Sequence, residues 1–247
     1  MIDIVAALES SFDEIHYLDF YREIFPEGSF EEKGVYEDGK YNGIAVAIEK
    51  GGKRTKRLTV TDDLDAIADM AASDDFCLMS PISYIGKSRK SSNARLMYAL
   101  AIDLDGVGLY ELKNLLLRFG QPAENIRTLP VPTFLVVSGT GLHVYYVFEE
   151  PIDLFPNIKL QMKSLKYDLT FRMWDYKSTS KKDKVQYQSI VQGFRMVGSI
   201  NPKYGVEVKA FQIGGRVTLE YLNSYVKPQN RVDVNRRFAQ IGRASCR

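Results

Sequence analysis

Histidine and cysteine are scarce in this chain. Its 247 residues include two histidines, His16 and His143, and two cysteines, Cys77 and Cys246. That scarcity excludes a metal centre built from imidazole and thiolate ligands. Long apolar runs are missing too: no stretch approaches the roughly 18 residues a membrane span needs. Residues 1–11 contain acids and no basic patch, so they do not read as a secretory signal. A cytoplasmic protein without a membrane partner is the expectation. The last seven residues, Ile241-Gly242-Arg243-Ala244-Ser245-Cys246-Arg247, read as the translation of a short-read sequencing adapter and are set apart from fold reasoning. Without Arg243 and Arg247, Lys plus Arg falls from 33 to 31, equal to Asp plus Glu. An excess of either charge is therefore also absent, and only local clusters can speak for nucleic acid. Cys77 is then the lone cysteine. It sits in the apolar string Phe76-Cys77-Leu78-Met79, where a buried thiol is expected.

What is present is the composition of a globular protein, 45% hydrophobic and 26% charged, long enough to bury a substantial core. Helical patterning covers residues 10–25 up to Pro26, a helix capped by Thr61-Asp62-Asp63 and running to about Ala72, then 109–119, 155–174 and 219–225. Strand patterning covers parts of 30–60, with turn signals at Glu37-Asp38-Gly39-Lys40 and Lys50-Gly51-Gly52-Lys53, then 76–82 and 95–105. Residues 133–137 turn at Ser138-Gly139-Thr140-Gly141 into 142–148, and 206–211 with 216–219 predict a closing hairpin around Gly214-Gly215. Residues 177–184 form a basic loop, and 186–196 fit either a helix or a strand. Helices mixed with hairpins predict an α+β fold rather than a doubly wound parallel sheet. The expected division is 1–75 as an N-terminal α+β part, 76–226 as the core, and 227–240 as a polar linker or the start of a further domain.

Chemistry concentrates in three places. In Ala101-Ile102-Asp103-Leu104-Asp105-Gly106, two carboxylates at i and i+2 on a strand point to one face. Like charges held together cost energy that a divalent cation removes, and oxygen ligands suit Mg2+ or Mn2+. An isolated Asp-x-Asp is also common in turns; the apolar strand before this one pins the pair to a core edge. In Val137-Ser138-Gly139-Thr140-Gly141-Leu142-His143, the glycines let backbone N–H groups approach a phosphate, and His143 follows one strand residue later. A lone strand histidine is more often structural. In Gln192-Gly193-Phe194-Arg195-Met196-Val197-Gly198-Ser199-Ile200-Asn201-Pro202-Lys203, Arg195 offers a bidentate phosphate contact ahead of a turn. Basic clusters lie at Lys53-Arg54-x-Lys56-Arg57, Lys87-x-Arg89-Lys90 and Lys181-Lys182-x-Lys184. The second, with Tyr84 and Tyr98 nearby, leads into the acidic strand and best suits a nucleic-acid backbone.

Taken in order, these motifs resemble the archaeo-eukaryotic primase superfamily, in particular the primase-polymerase domains of plasmids, phages and other mobile elements. Asp103 and Asp105 match its Asp-x-Asp motif. Ser138, Gly139, Gly141 and His143 match Ser-Gly-x-Gly-x-His. Arg195 to Asn201 matches Arg-x-Pro-Gly-Ser/Thr-x-Asn, with Val197 in the proline position. The resemblance spans roughly residues 76–212 and implies a catalytic core with an RRM-like mixed or antiparallel sheet flanked by helices. It implies a DNA primase/polymerase-type nucleotidyltransferase with a two-metal Mg2+ or Mn2+ site on Asp103, Asp105 and a third acid. Asp183 is the match for that acid, with Asp168 and Asp175 as competitors. Nucleoside triphosphate would be bound by Ser138, Gly139, Gly141, His143, Arg195 and Asn201, with His143 and Arg195 acting in catalysis. Single-stranded template and primer would meet Lys87, Arg89 and Lys90, and related proteins imply a helicase domain or partner beyond the C-terminus. Another Asp and an Arg often precede the third motif in the family; here those places hold Ser189 or Gln188, and Gln192. Two other readings stand beside this one. One is a non-catalytic, primase-derived replication initiator that binds nucleic acid. The other is a haloacid-dehalogenase-like phosphatase, whose first motif Ile102-Asp103-Leu104-Asp105-Gly106-Val107 also resembles and whose sheet is parallel.

Overall fold

A computed structural model describes residues 2–35, 41–49, 51–52, 54–120, 127–139, 141–174, 177–181 and 184–237. Its centre is one long antiparallel strand pair, β6 (Ala94–Asp105) with β8 (Gly141–Asp153). Both strands are apolar on both faces, so both faces need cover. β7 (Phe134–Val137) runs through the glycine turn into β8 and pairs with it. Beyond β7 lie β12 (Lys209–Gln212) and β1 (Glu14–Ile15). On the other side β5 (Ile82–Tyr84) pairs with the first part of β6. The six strands run β1-β12-β7-β8-β6-β5, every neighbour antiparallel.

The two faces of this sheet bury different layers. Leu100, Ile102 and Leu104 of β6, with Leu142, Val144 and Tyr146 of β8, pack under α1 (Ile2–Glu9), α4 (Leu109–Leu116) and α5 (Pro156–Trp174). On α5 the residues Ile158, Met162, Leu165, Leu169 and Met173 recur at helical spacing and form the buried stripe. Ala99, Ala101 and Tyr145 face the other way. They meet α2 (Tyr17–Ile24), α3 (Asp65–Ala71) and a second sheet. That sheet has β3 (Thr55–Val60), β2 (Gly43–Ile48), β4 (Phe76–Met79) and β9 (Phe194–Arg195) in the order β3-β2-β4-β9. The small side chains of Ala99 and Ala101 leave room for Phe20 of α2, which packs edge-on to Tyr145 at 5.3 Å. Full burial of a phenylalanine of this kind contributes roughly 1.5–3 kcal/mol. A short ribbon of β10 (Ile200–Asn201) and β11 (Val206–Glu207) and the helix α6 (Leu219–Ser224) complete the chain.

Several sequence expectations are corrected. The helix expected over 10–25 is shortened to α2: residues 10–16 are not helical, and Glu14–Ile15 pair with Phe211 and Ala210 at the sheet edge before α2 begins. Long-range pairing overrides local propensity there. The hairpin expected around Gly214-Gly215 does not form. β12 inserts between β1 and β7, while Val217 bridges Phe148 through Val217 N–H to Val147 C=O. Gly214 serves a crossing, since a Cβ there would lie 3.0 Å from the Pro132 carbonyl oxygen. Residues 186–196 are irregular apart from β9. Residues 227–237, read as a linker, lie on α5 and α6: Asp168 accepts from the Lys227 N–H and the Asn230 amide, and Val232 is buried against Asn223. Cys77 is buried and free, and burial raises its thiol pKa to about 11. Among the described residues, no helix is long and apolar enough to cross a membrane. The Glu37–Lys40 turn signal, Thr140, Asp175, Asp183 and residues 238–247 lie outside the described residues.

Candidate active site

The odd-numbered face of β6 passes from Ala99 and Ala101 to Asp103 and Asp105. The apolar layer between the two sheets therefore ends in two carboxylates. Asp103 lies opposite His143 and Asp105 opposite Gly141 across the β6–β8 ladder. Thr133 N–H donates to Tyr145 C=O, and Ser138 N–H to Gly141 C=O. Odd-numbered peptides of β8 thus turn toward β7. Asp103 and His143 accordingly form a non-hydrogen-bonded pair, the type whose side chains approach most closely. Gly141 leaves the carboxylates uncovered: a Cβ built on it would lie 3.2 Å from Asp105 Oδ1 and 3.5 Å from Asp103 Oδ1. Both oxygens converge on that one point.

Burial, and then the Asp105 charge, push the Asp103 pKa up to about 6, against the pull of Lys166 and Arg195. Burial, and then the Arg195 charge, bring His143 down to about 3, so its imidazole is neutral. The 3.7 Å approach of His143 Nε2 to Asp103 Oδ1 is consequently no ion pair, and it is too long for a hydrogen bond. His143 Nδ1 is a buried nitrogen without a hydrogen-bond partner.

The later motifs close around this pair. The Asn201 side-chain amide donates to Ser138 C=O, and its carbonyl accepts from Lys203 N–H. Gly139 has φ +130°, and a Cβ there would come within 2.7 Å of Asn201 Nδ2 and 2.9 Å of the Tyr204 ring. Arg195, on β9 beside Leu78, stacks its guanidinium 4.2 Å from the Phe76 ring centroid. Gly198 (φ +82°) lies against the Tyr17 ring, and Val197 N–H donates to the Tyr21 hydroxyl, so α2 fixes the third motif from behind. The resulting cleft of about 300 Å3 is lined by Asp103, Asp105, Ser138, His143, Arg195 and Asn201 among others. Two further clefts, about 340 and 790 Å3, share Asp153 and Phe155 and contain no motif residue.

The structure thus brings Asp103, Asp105, Ser138, Gly141, His143, Arg195 and Asn201 to one cleft, with Gly139 in the adjoining turn. Of the basic cluster, Arg89 folds onto Gly193 at the rim, where a Cβ would lie 2.6 Å from its Nη1. Lys87 and Lys90 are exposed. Asp168 is committed to Lys227 and Asn230. Among the described residues, no group of three or more His, Cys, Asp or Glu side chains is placed to hold a metal ion.

Sequence reading missed Lys166 and Tyr204, and named Gln188 only as a departure from the family's pattern. Tyr204 lines the cleft. Lys166 is 1% exposed, donates from Nζ to Ser189 C=O at 2.9 Å, and is held down to about pKa 7 by burial against the pull of Asp103. Its signal was a lysine adjoining the apolar stripe of α5. Gln188 contacts the backbone of Asp103 from the outer edge of β6, a contact with no sequence pattern.

The chain is an antiparallel α+β core with the fold of a primase-polymerase AEP domain. The AEP domain of the cyanophage S-2L primase-polymerase (PrimPol) is similar to it, with a TM-score of 0.54 at 13% identity over 85% of this chain and 97% of that one. The catalytic domain of primase Repb′, in complex with initiator DNA, aligns with a TM-score of 0.42 at 11% identity over 79% and 84%. No protein-family model and no curated protein matches the chain. The phosphatase reading is dropped, because β6 is antiparallel to both β5 and β8 where that family needs a parallel sheet.

Proposed function

We propose that the chain is a primase-polymerase-type nucleotidyltransferase serving the replication of a phage, plasmid or other mobile element. It would join a primer 3′-hydroxyl to the α-phosphate of a nucleoside triphosphate on a single-stranded DNA template, releasing pyrophosphate. The observation that carries this reading is the convergence of the two carboxylate oxygens over Gly141, beside the Ser138–His143 turn and Arg195.

The donor set fits a hard cation. Two oxygens meet at one point, and Asp103 is strained toward protonation by burial and Asp105, which a divalent charge would relieve. Asp103 and Asp105 would hold Mg2+ or Mn2+, with Asp183 proposed as a third ligand. When bound, such ions lower the hydroxyl pKa and stabilise the leaving oxygens. Ser138 and the Gly139–Gly141 turn would seat the triphosphate against backbone N–H groups. Arg195, prealigned on Phe76, would offset charge developing on the phosphoryl oxygens. His143, being neutral, would give a hydrogen bond rather than a charge. Asn201 would keep the turn closed through Ser138 C=O. Arg89, at the rim, would meet the nucleic-acid backbone with Lys87 and Lys90.

Template-directed incorporation of labelled nucleotide in Mn2+ tests the proposal. Asp103→Ala should reduce incorporation by at least about 10²- to 10³-fold. Unchanged incorporation would refute the assignment. A wild-type chain that binds template yet incorporates nothing would favour the primase-derived initiator instead.

A further inference from the structure

The outer edge of β6 is paired with β5 over its first residues, the last partner being Met97 with Ile82. Beyond that point the peptides of Asp103 and Asp105 face away from β8, and among the described residues no strand meets them. The side chains of Thr179 and Gln188 take the place of a strand. Thr179 Oγ1 donates to Asp105 C=O. At Asp103, Gln188 does the work of a whole strand residue. Its Oε1 accepts from Asp103 N–H at 3.3 Å, and its Nε2 donates to Asp103 C=O at 2.9 Å. The second Nε2 proton goes to Gln186 C=O at 2.7 Å, which fixes the amide plane. The neighbouring Ser189 C=O is held by buried Lys166 and by Gln192 N–H.

We infer that Gln188 is a positioning residue for Asp103: its amide clamps the strand end so that Asp103 holds its place beside Asp105. The inference rests on the reading of Asp103 as a cation ligand. The physical need comes from the two carboxylates themselves. They sit on one face, two residues apart, at the end of a strand, and they repel each other. A strand end bonded on one side yields to that repulsion; one bonded on both sides does not. An amide is required because the task needs one donor and one acceptor. A carboxylate at 188 would set a negative charge against Asp103 C=O and add to the repulsion. It would not become a ligand, because the side chain meets the strand's edge and not its carboxylate face.

The test uses the full chain with Gln188→Ala, Gln188→Glu and, as a control, Gln186→Ala. Two quantities are measured: amide hydrogen exchange by NMR, and Mn2+ affinity from the EPR signal of free Mn2+ without nucleotide. In Gln188→Ala the Asp103 amide should exchange at least about tenfold faster. Ile102 and Leu104, whose peptides turn toward β8, should keep their protection. Mn2+ should bind about tenfold more weakly in Gln188→Ala, and more weakly still in Gln188→Glu despite the added carboxylate. Gln186→Ala should match wild type in both. Three results would overturn the proposal: unchanged exchange at Asp103, faster exchange with unchanged Mn2+ affinity, or tighter Mn2+ binding in Gln188→Glu. A wild-type chain that takes up no Mn2+ overturns the cation reading itself, a result distinct from all three.

Discussion

Lys166 is a charge that water does not reach. It has one hydrogen bond, to Ser189 C=O, lies 5.3 Å from the Phe194 ring centroid, and feels the Asp103 charge at longer range. Its pKa is depressed from 10.5 to about 7, chiefly by burial. The sign of the consequence follows from proton counting. Below pH 7 the lysine is protonated folded and unfolded, and the folded state carries the full desolvation cost. Between pH 7 and 10.5 the unfolded chain keeps the proton that the folded chain has lost, so stability rises with pH. Lys166→Met should therefore be more stable than wild type at pH 7, by something on the order of 3 kcal/mol at most. The advantage should vanish toward pH 10. Urea unfolding across pH 6–10 checks this; parallel curves for the two proteins would contradict it.

At the scale of elements, the cleft depends on turns and edges more than on long strands. The β7–β8 turn is closed by Asn201 and Tyr204, and Gly139 holds a φ of +130° in direct contact with both. Gly139→Ala should cost roughly 1–3 kcal/mol in stability through backbone strain and push the Ser138 carbonyl off Asn201. The nucleotide KM should rise in the same variant. A wild-type melting curve and KM together would show that the turn can relax. β9, two residues long, carries Arg195 into the cleft because β4 gives it an edge to join. Its brevity is why residues 186–196 fitted either a helix or a strand in the sequence.

At the scale of the whole molecule, residues from 76 to 204 are brought to one cleft by the sandwiching of two sheets. Residues 227–237 belong to the same body through Asp168, Asn223 and buried Val232. A chain ending at residue 226 should melt a few degrees lower, by about 2–4 °C for each 1 kcal/mol lost, with Asp168 and Asn223 left without these partners. An unchanged melting temperature would show that the segment adds nothing. Much of this body was legible in the sequence. The apolar run into Asp103 marked β6, and the glycine turn marked the β7–β8 hairpin, because periodicity and turn chemistry are local. The contacts of Gln188 with Asp103, Arg89 with Gly193 and Gly214 with Pro132 were not legible. Each joins side chain or backbone across more than eighty residues and leaves no periodic trace.

The closed outer edge of β6 has one more consequence. A row of free N–H and C=O groups beside an apolar strand is a template on which a second molecule can add its own strand. Here Gln188 and Thr179 occupy the peptides of Asp103 and Asp105 with side chains, which cannot be extended into a further ladder. The side chains that seal the strand end also keep the sheet from growing into an aggregate at the end of this central strand.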